Sequence, residues 1–194
     1  MNIVVLAGGL SPERDVSLSS GALISNALIE NGHNVMLLDL YFGENNKEIE
    51  PVYRNNKSDF RYLYSVSEQE PDLGKIKLSV KNDYGMIGNG VIELCKQADM
   101  VFLALHGAAG ENGQLQAIFD LNEIRYTGTG YAGSLLAMDK DLSKRMMRDN
   151  GILTADWKYI DIKDNNNFSD VKFPCVVKPV SYTHLRAHET RHDL

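Results

Sequence analysis

The stretch NIVVLAGG, residues 2–9, is a short apolar run that ends in two adjacent glycines. A run of this length without polar alternation is typical of a strand that is buried on both faces of a parallel sheet and leads into a loop. Residues 16–32, VSLSSGALISNALIENG, place apolar side chains at close to helical spacing, and Gly32 is a suitable helix end. Residues 33–41, HNVMLLDLY, predict a second strand. A strand–helix–strand unit requires a right-handed crossover, so we predict an α/β fold with a parallel sheet.

Beyond the second strand, polar and apolar segments alternate along the chain. Residues 43–74 are polar and rich in asparagine, without a helical or strand period, which predicts an irregular excursion on the surface. MVFLALHG, residues 100–107, is the clearest buried strand. The other patterns predict an edge strand at KIKLSVKN (75–82), helices at GVIELCKQAD (90–99) and ENGQLQAIFDLN (111–122), a short strand and turn at RYTGTG (125–130), and further helix at SLLAMDKDLSKRMMRDNG (134–151).

The last quarter of the chain has a different character. WKYIDI (157–162) and FPCVVKP (173–179) predict two strands, and three consecutive asparagines mark the loop between them. We therefore place a domain boundary near Leu153, with an α/β domain over residues 1–152 and the start of a second domain over residues 153–181. Two strands cannot bury a core by themselves, so the second domain requires further elements.

The composition excludes several classes of function. The chain has 194 residues, 43% of them hydrophobic, a length that fits one domain or one domain and part of another. The formal net charge is −6 and the basic residues are scattered, so we expect no nucleic-acid partner. The run IVVLA is too short for a signal-peptide core, and no stretch is long enough to span a bilayer, so we expect a cytoplasmic protein without a membrane partner. Cys95 and Cys175 lie singly in apolar segments and are predicted to be reduced core thiols.

The loop after the first strand, AGGLSPERDVS (7–17), bears on the ligand that the sheet would bind. A nucleotide-binding Rossmann unit requires the spacing G-x-G-x-x-G, which this loop lacks, and an acidic residue after the second strand, which Asp39 supplies. Glu13 and Asp15 lie at the start of the predicted helix, where their carboxylates would repel a phosphate. Two interpretations stay open. Either Asp15 or Ser17 caps the helix and Glu13 meets the helix dipole, or Glu13 offers its carboxylate to a cation such as an ammonium.

His106 ends the strand at residues 100–107 and precedes the segment GAAGENG. The carboxyl ends of parallel strands meet at one edge of a sheet, and ligands of such folds bind at that edge. We therefore expect His106 near Glu13. Its side chain is either a hydrogen-bonded structural group at a strand end or a polar group that lines the site.

Four stretches together resemble the D-alanine:D-alanine ligases of the ATP-grasp family. In order along the chain they are GGLSPERDVSLSSG (8–21), LALHGAAGENGQLQAIFDLNEIRYTGTG (103–130), LLAMDKDLSKRMMRDNGI (135–152) and FPCVVKPVS (173–181). The resemblance implies a Rossmann-like preATP-grasp domain over residues 1–152, followed by the truncated start of the central ATP-grasp domain over residues 153–181.

The resemblance also implies a reaction and its site residues. ATP phosphorylates the carboxylate of one D-alanine, the amine of a second D-alanine attacks the acyl phosphate, and Mg²⁺ bridges the phosphates. Glu13 would hold the ammonium of the first D-alanine as a catalytic and substrate-binding residue, and His106 would line the pocket of that substrate. Lys140 and Lys178 would contact the phosphates of ATP. The partners implied are D-alanine and ATP, in a homodimer when the protein is full length.

The family places a Gly-Gly-Ser-Ser phosphate loop after the segment that contains Lys178, at positions 182–185, where this chain has Tyr-Thr-His-Leu. The last residues, SYTHLRAHETRHDL (181–194), carry His184, His188 and His192 at a spacing of four, which on a helix would align them with Glu189 as a metal site. They also resemble a translated adaptor sequence at the end of a gene fragment. We favour that interpretation and expect a non-native tail at residues 182–194, no bound metal, and no ligase activity in this chain alone.

Two alternative functions stay open at this point. A ligase that accepts D-lactate or D-serine as second substrate would share the same motifs. A non-catalytic Rossmann-like module that binds a small molecule would share the strand–helix–strand pattern, although the acids at the start of the helix oppose a nucleotide there.

Overall fold

The computed structural model describes residues 1–57, 60–80, 85–161 and 171–181. The chain divides into two compact units, residues 1–135 and residues 136–194. The predicted non-native tail at residues 182–194, with its three histidines and the positions expected for a phosphate loop, lies outside the described residues. The first unit contains the sheet and both loops that the sequence singles out, and the second contains the two candidate lysines.

Three parallel strands form the sheet of the first unit in the spatial order β2-β1-β3. They are β1 (Asn2–Ala7), β2 (Asn34–Asp39) and β3 (Met100–Leu103). Ile3 pairs with Val35 on one side and with Met100 on the other, so the three carboxyl ends lie at a common edge. The predicted parallel sheet is confirmed, with β1 at its centre.

Helices follow or precede each strand. Within the described residues they are α1 (Arg14–Glu30), α2 (Leu73–Ser79), α3 (Val91–Gln97), α4 (Ala108–Glu111), α5 (Gln114–Leu121), α6 (Tyr131–Met138) and α7 (Lys140–Asp149). None of the helices in these ranges is both long enough and apolar enough to cross a membrane.

The middle residues of each strand are apolar, as expected where both faces of a sheet are covered and successive side chains point to opposite faces. Ile3, Val5 and Ala7 of β1 pack with Leu18, Ala22 and Ile29 of α1, together with Val35 and Leu37 of β2. Val4 and Leu6 of β1 pack on the other face with Val91 and Cys95 of α3 and with Leu115 and Phe119 of α5. Fully burying one such side chain contributes about 1.5–3 kcal/mol, so this double layer holds the first unit together.

Gly21 lets α1 lie close against the sheet. A Cβ at this position would come within 2.7 Å of the Cβ of Ala7 and 2.9 Å of Cδ1 of Leu37. The glycine lowers helix propensity by about 1 kcal/mol, but an alanine would push the helix away from β1. The close packing brings the first turn of α1 to the carboxyl edge of the sheet.

The polar excursion after β2 is largely irregular, as predicted, but two contacts attach it to the sheet layer. Arg54 forms an isolated antiparallel bridge with Val35 at the outer edge of β2. The backbone of Tyr62 exchanges two hydrogen bonds with the Asn26 side chain of α1, at 2.8 and 2.9 Å. Tyr62 is buried in the part of the core that faces α1. The excursion therefore contributes apolar packing, which its polar composition did not predict.

The edge strand predicted at residues 75–82 is wrong, because the described part of that segment belongs to helix α2. Asp72 caps the helix by accepting a hydrogen bond from the backbone N–H of Lys75 at 3.0 Å. Leu78 is 89% exposed, so no buried face selects the alternating register of a strand. The decisive signal was the cap residue after Pro71, and the alternation of Ile76 and Leu78 was misleading.

The short strand predicted at residues 125–130 is reduced to a single parallel bridge between Val101 and Tyr126. The N–H of Val101 donates to the carbonyl of Arg125 at 2.8 Å, and the N–H of Thr127 donates to the carbonyl of Val101 at 3.0 Å. The helical pattern at residues 134–151 is confirmed, but Asp139 interrupts it. Asp139 has an extended backbone and caps α7 by accepting from the N–H of Leu142 at 2.8 Å.

The two strands predicted at residues 157–162 and 173–179 are wrong within the described residues, which form no strand there. A strand requires a neighbour for its backbone N–H and C=O groups, and the described residues of the second unit supply none. Val177 is accordingly 92% exposed. Cys175 is also exposed, so the prediction of two core thiols is confirmed for Cys95 and wrong for Cys175.

The two thiols are expected to differ in reactivity. Burial, and secondarily the charge of Glu93, raise the pKa of Cys95 to about 12, so this thiol stays protonated and shielded near neutral pH. Iodoacetamide should therefore alkylate Cys175 in the native chain and Cys95 only after unfolding, as measured by mass spectrometry of peptides. Cys175→Ser is the control and should abolish native labelling. Rapid labelling of Cys95 in the folded protein would contradict its position under the sheet.

Candidate functional site

Two glycines turn the chain at the carboxyl end of β1. Gly8 and Gly9 have φ angles of 69° and 82°, which side chains rarely permit. A Cβ at Gly8 would overlap the carboxylate of Asp39, so the turn requires glycine for space as well as for conformation. The turn thereby brings the loop at residues 8–13 against the end of β2.

A buried ion pair holds this turn in place. Nη2 of Arg14 lies 2.7 Å from Oδ2 of Asp39, and the two side chains are 6% and 0% exposed. Nη1 of Arg14 donates to the carbonyl of Gly9 at 3.1 Å, and its guanidinium stacks on the Phe42 ring at 4.8 Å. Oδ1 of Asp39 accepts from the N–H groups of Tyr41 and Phe42 at 2.8 and 3.0 Å. The pair joins the loops after β1 and β2.

These contacts correct the role that the sequence allowed for Asp39. A nucleotide-binding Rossmann unit needs the acid after its second strand to face a ribose. Asp39 is fully buried and is bound by Arg14 and by three backbone N–H groups, so it is not available to a ligand. Asp39 was the residue that matched the nucleotide-binding pattern, so its burial removes this support for a nucleotide-binding module in the first unit.

Glu13 lies at the N-cap position of α1, where it is half-buried. Its backbone N–H donates to Oγ of Ser11 at 3.1 Å, and its side chain makes no capping hydrogen bond. Of the two open interpretations, capping by Asp15 or Ser17 is excluded, because both residues lie within α1 and their side chains bind Tyr64 and Ala104 instead. Glu13 therefore lies at the positive end of α1 without its side chain serving as the cap.

Asp15 binds the polar excursion. Oδ1 of Asp15 accepts a hydrogen bond from the hydroxyl of Tyr64 at 2.9 Å. Burial, and then this hydrogen bond, raise the pKa of Tyr64 above its usual value, so the hydroxyl remains a proton donor. This contact holds the segment around Tyr64 against the first turn of α1, next to Glu13.

His106 lies three residues beyond β3, at the same carboxyl edge, and is half-buried. The N–H of Ala104 donates to the carbonyl of Leu6 at 2.9 Å, which extends the pairing of β3 with β1 towards His106. Beyond His106, Nε2 of the buried Gln116 donates to the carbonyl of Gly110 at 2.6 Å and so joins α5 to the short helix α4. The predicted placement of Glu13 and His106 on loops of one sheet edge thus agrees with the strand register.

A buried serine connects the two loops. The N–H of Gly8 donates to Oγ of Ser17 at 2.8 Å, and this hydroxyl donates to the carbonyl of Ala104 at 2.7 Å. Sequence reasoning considered Ser17 only as a helix cap and missed Gln116. No local sequence pattern indicates the contacts of Ser17, since its two hydrogen-bond partners lie 9 and 87 residues away in the chain.

The second unit holds the two candidate lysines. Lys140 is the first residue of α7 and is half-buried, and Lys178 is exposed in an irregular segment. The backbone N–H of Lys140 donates to the carbonyl of Val180 at 2.9 Å, so the two lysine-bearing segments adjoin each other within this unit. Across the described ranges, no group of three or more His, Cys, Asp or Glu side chains is arranged to hold a metal ion.

Comparison with known proteins identifies the family. Residues 2–129 match the family model for the D-ala D-ala ligase N-terminus. The chain belongs to this family. The match includes the loops of Glu13 and His106, and it confirms the resemblance found in the sequence motifs. Lys140 and Lys178 lie beyond the matched residues.

Relatives of this ligase family extend the comparison. A D-alanine–D-alanine ligase of Pediococcus pentosaceus is 42% identical over 187 residues, a match that covers 93% of this chain and 52% of the relative. The chain thus spans about half the length of this curated relative. A crystal structure of D-alanine–D-alanine ligase from Bacillus anthracis aligns with a TM-score of 0.59 at 27% identity, over 87% of this chain and 41% of that one. The same enzyme complexed with ATP aligns with a TM-score of 0.56 at 26% identity, over 88% and 43%.

Removal of Arg14 tests how much the ligase-family fold depends on the buried pair. Arg14→Met leaves the Asp39 charge buried without its partner, and we expect a loss of about 3–5 kcal/mol in the free energy of unfolding. Arg61→Met is the matched control. Arg61 lies 3.6 Å from Glu30 with both side chains exposed, so its removal should cost less than about 1 kcal/mol. Denaturant titration of both variants measures the difference, and equal losses would show that the buried pair has no special weight.

Proposed function

We propose that this chain supplies the first-substrate site of a cytoplasmic, homodimeric ligase that joins two D-alanines to D-alanyl-D-alanine for peptidoglycan synthesis. The observation that carries the proposal is the carboxyl edge of the sheet, where the hydroxyl of Ser17 ties the loop leading to Glu13 to the loop leading to His106. The family of the chain and the relatives described above support the same assignment.

Glu13 is the group that we assign to the ammonium of the first D-alanine. A carboxylate selects a cation through charge-assisted hydrogen bonds. Glu13 and Asp15 at the start of α1 also disfavour a phosphate there, although a helix N-terminus otherwise attracts one. The charge at this edge therefore suits an amino acid better than a nucleotide. We assign His106 to the lining of the same pocket.

We assign phosphate binding to two lysines of the second unit. Lys178 lies in the domain that we propose to begin near Leu153, and Lys140 lies in α7, the helix just before that domain. Lys140 and Lys178 carry the positive charges that ATP phosphates require, and the hydrogen bond from Lys140 to Val180 supports their joint use. ATP would supply the phosphoryl group that activates the carboxylate of the first D-alanine for attack by the amine of the second. We place the magnesium ligands outside the described residues, because those residues offer no carboxylate cluster for the ion.

The alternatives are less well supported. No feature of the described residues favours D-lactate or D-serine over D-alanine as second substrate. The non-catalytic nucleotide-binding module conflicts with the burial of Asp39 against Arg14.

A hybrid enzyme tests the proposal directly. Residues 1–181 would be joined to the remaining half of the Pediococcus pentosaceus relative, and ligation would be followed by release of phosphate from ATP and by chromatography of the dipeptide. We expect both products to appear with D-alanine and neither with L-alanine. A folded hybrid that releases no phosphate with D-alanine, or ligates only another D-amino acid or D-hydroxy acid, would overturn the assignment.

Glu13→Gln in the hybrid separates substrate binding from helix stabilisation. The amide keeps the size and polarity of the side chain but removes the charge that selects an ammonium. We expect kcat/KM for the first D-alanine to fall by roughly tenfold to a hundredfold, as for the loss of a charge-assisted bond of about 1.5–3 kcal/mol. Glu30→Gln, at the exposed far end of α1, is the control and should leave the kinetics unchanged. If Glu13 acts only on the helix dipole, the variant would instead lose about 0.3–1 kcal/mol of stability with normal kinetics.

The 194-residue chain alone is expected to have no ligase activity. Positioning and charge neutralisation supply most of the rate in phosphoryl transfer, and the described residues contain neither the phosphate loop nor the magnesium ligands implied by the family resemblance. Release of phosphate from ATP, measured with and without D-alanine in a preparation free of host ligase, should equal background. Release that depends on D-alanine would contradict the prediction.

A further inference from the structure

We propose that Ser17 is a positioning residue that sets the separation between Glu13 and His106. This inference rests on the proposed function of the carboxyl edge and adds a residue to which sequence and family motifs assign no role at the site. Ser17 itself is 0% exposed, so it acts through its neighbours without touching a substrate.

The first step of the argument is the place of Ser17 in the sheet. The residue pairs of β1 and β3 end at Leu6 and Leu103, and the last backbone hydrogen bond between them runs from the N–H of Ala104 to the carbonyl of Leu6. The N–H of Gly8 and the carbonyl of Ala104 have then left the regular ladder. The hydroxyl of Ser17 accepts from the first at 2.8 Å and donates to the second at 2.7 Å, which replaces the missing bond between the two strands.

The second step is the chemistry of the hydroxyl. A serine Oγ accepts and donates at the same time, so one atom satisfies both backbone groups. Alanine would leave a buried N–H and a buried C=O without these partners, and the two loops would lose the link that Ser17 makes between them.

The third step connects Ser17 to Glu13. The backbone N–H of Ser17 donates to the carbonyl of Glu13 at 3.0 Å, so both residues belong to the same first turn of α1. Ala104, the other partner of Ser17, is two residues before His106. A shift of Ser17 relative to Ala104 therefore moves Glu13 relative to His106.

Binding of D-alanine to the chain provides the test, by NMR titration with L-alanine as the matched probe. Misplacement of binding groups by about 1 Å costs up to a hundredfold in well-ordered sites, so we expect Ser17→Ala to weaken D-alanine binding by about tenfold or more. Ser25→Ala is the matched control. Ser25 is also 0% exposed on α1, but its Oγ has no hydrogen-bond partner among the described residues, so binding should stay within about twofold of the native value.

A second control separates positioning from loss of stability. Ile29→Val removes a buried methyl group at the far end of α1, where it lowers the melting temperature without touching either loop. D-alanine affinity should remain native in this variant. If Ser17→Ala does not fold, Ser17→Cys keeps a weaker donor and acceptor in the same place and should show a smaller loss of the same kind.

The outcomes distinguish this inference from the proposed function. Native D-alanine affinity in folded Ser17→Ala or Ser17→Cys, together with reduced affinity in Glu13→Gln, would overturn the positioning role and leave the substrate site standing. Equal weakening by Ile29→Val would also overturn it. Failure of the native chain to prefer D-alanine over L-alanine would overturn the assignment of the site and the inference with it.

Discussion

The buried ion pair between Arg14 and Asp39 is the constraint on which the candidate site depends. Arg14 is the first residue of α1, and Asp39 is the last residue of β2, so their contact fixes the start of the helix against the end of a strand. Further hydrogen bonds offset the cost of burying a charge pair, and here the Gly9 carbonyl and the N–H groups of Gly9, Tyr41 and Phe42 supply such bonds. Glu13 directly precedes Arg14 in the chain, so the ion pair also determines the position of the Glu13 backbone at the edge of the sheet.

The polar contacts at this edge lie above a sheet that is covered on both faces by apolar side chains. Below the edge, the side chains of β1 enter two hydrophobic layers whose attraction is not directional. At the edge, hydrogen bonds with strict geometry take over, from Arg14, Ser17 and Gln116 to the backbone carbonyls of the segments that follow β1 and β3. The apolar layers hold the helices on the sheet, and the polar contacts determine where each loop lies. The loops can therefore hold the candidate site residues while the hydrophobic core supplies most of the stability.

The second unit is held differently. Trp157 donates from Nε1 to Asp141 of α7 at 2.8 Å, and Lys144 lies over the Trp157 ring at 5.4 Å while donating to the carbonyl of Ala155 at 2.7 Å. Helix α7 has no buried residue, and apolar side chains such as Met146 and Val177 are exposed. Polar and cation–π contacts thus order the described part of this unit, where the first unit relies on a hydrophobic core.

The sequence by itself determined the parallel sheet, the crossover helix and the edge that carries Glu13 and His106, because continuous apolar strands and helical periodicity are local signals. The same periodicity failed at residues 75–79, where the Asp72 cap outweighed the alternation of Ile76 and Leu78. It also failed at residues 173–179, where an apolar run has no neighbouring strand in the part of the chain that the structure describes. Only the tertiary structure decided that Asp39 pairs with Arg14 and that Ser17 joins Gly8 to Ala104, since these partners lie 25, 9 and 87 residues apart in the chain. The physical reason is that a charged or hydroxyl side chain has many possible partners, and burial in the folded chain selects among them.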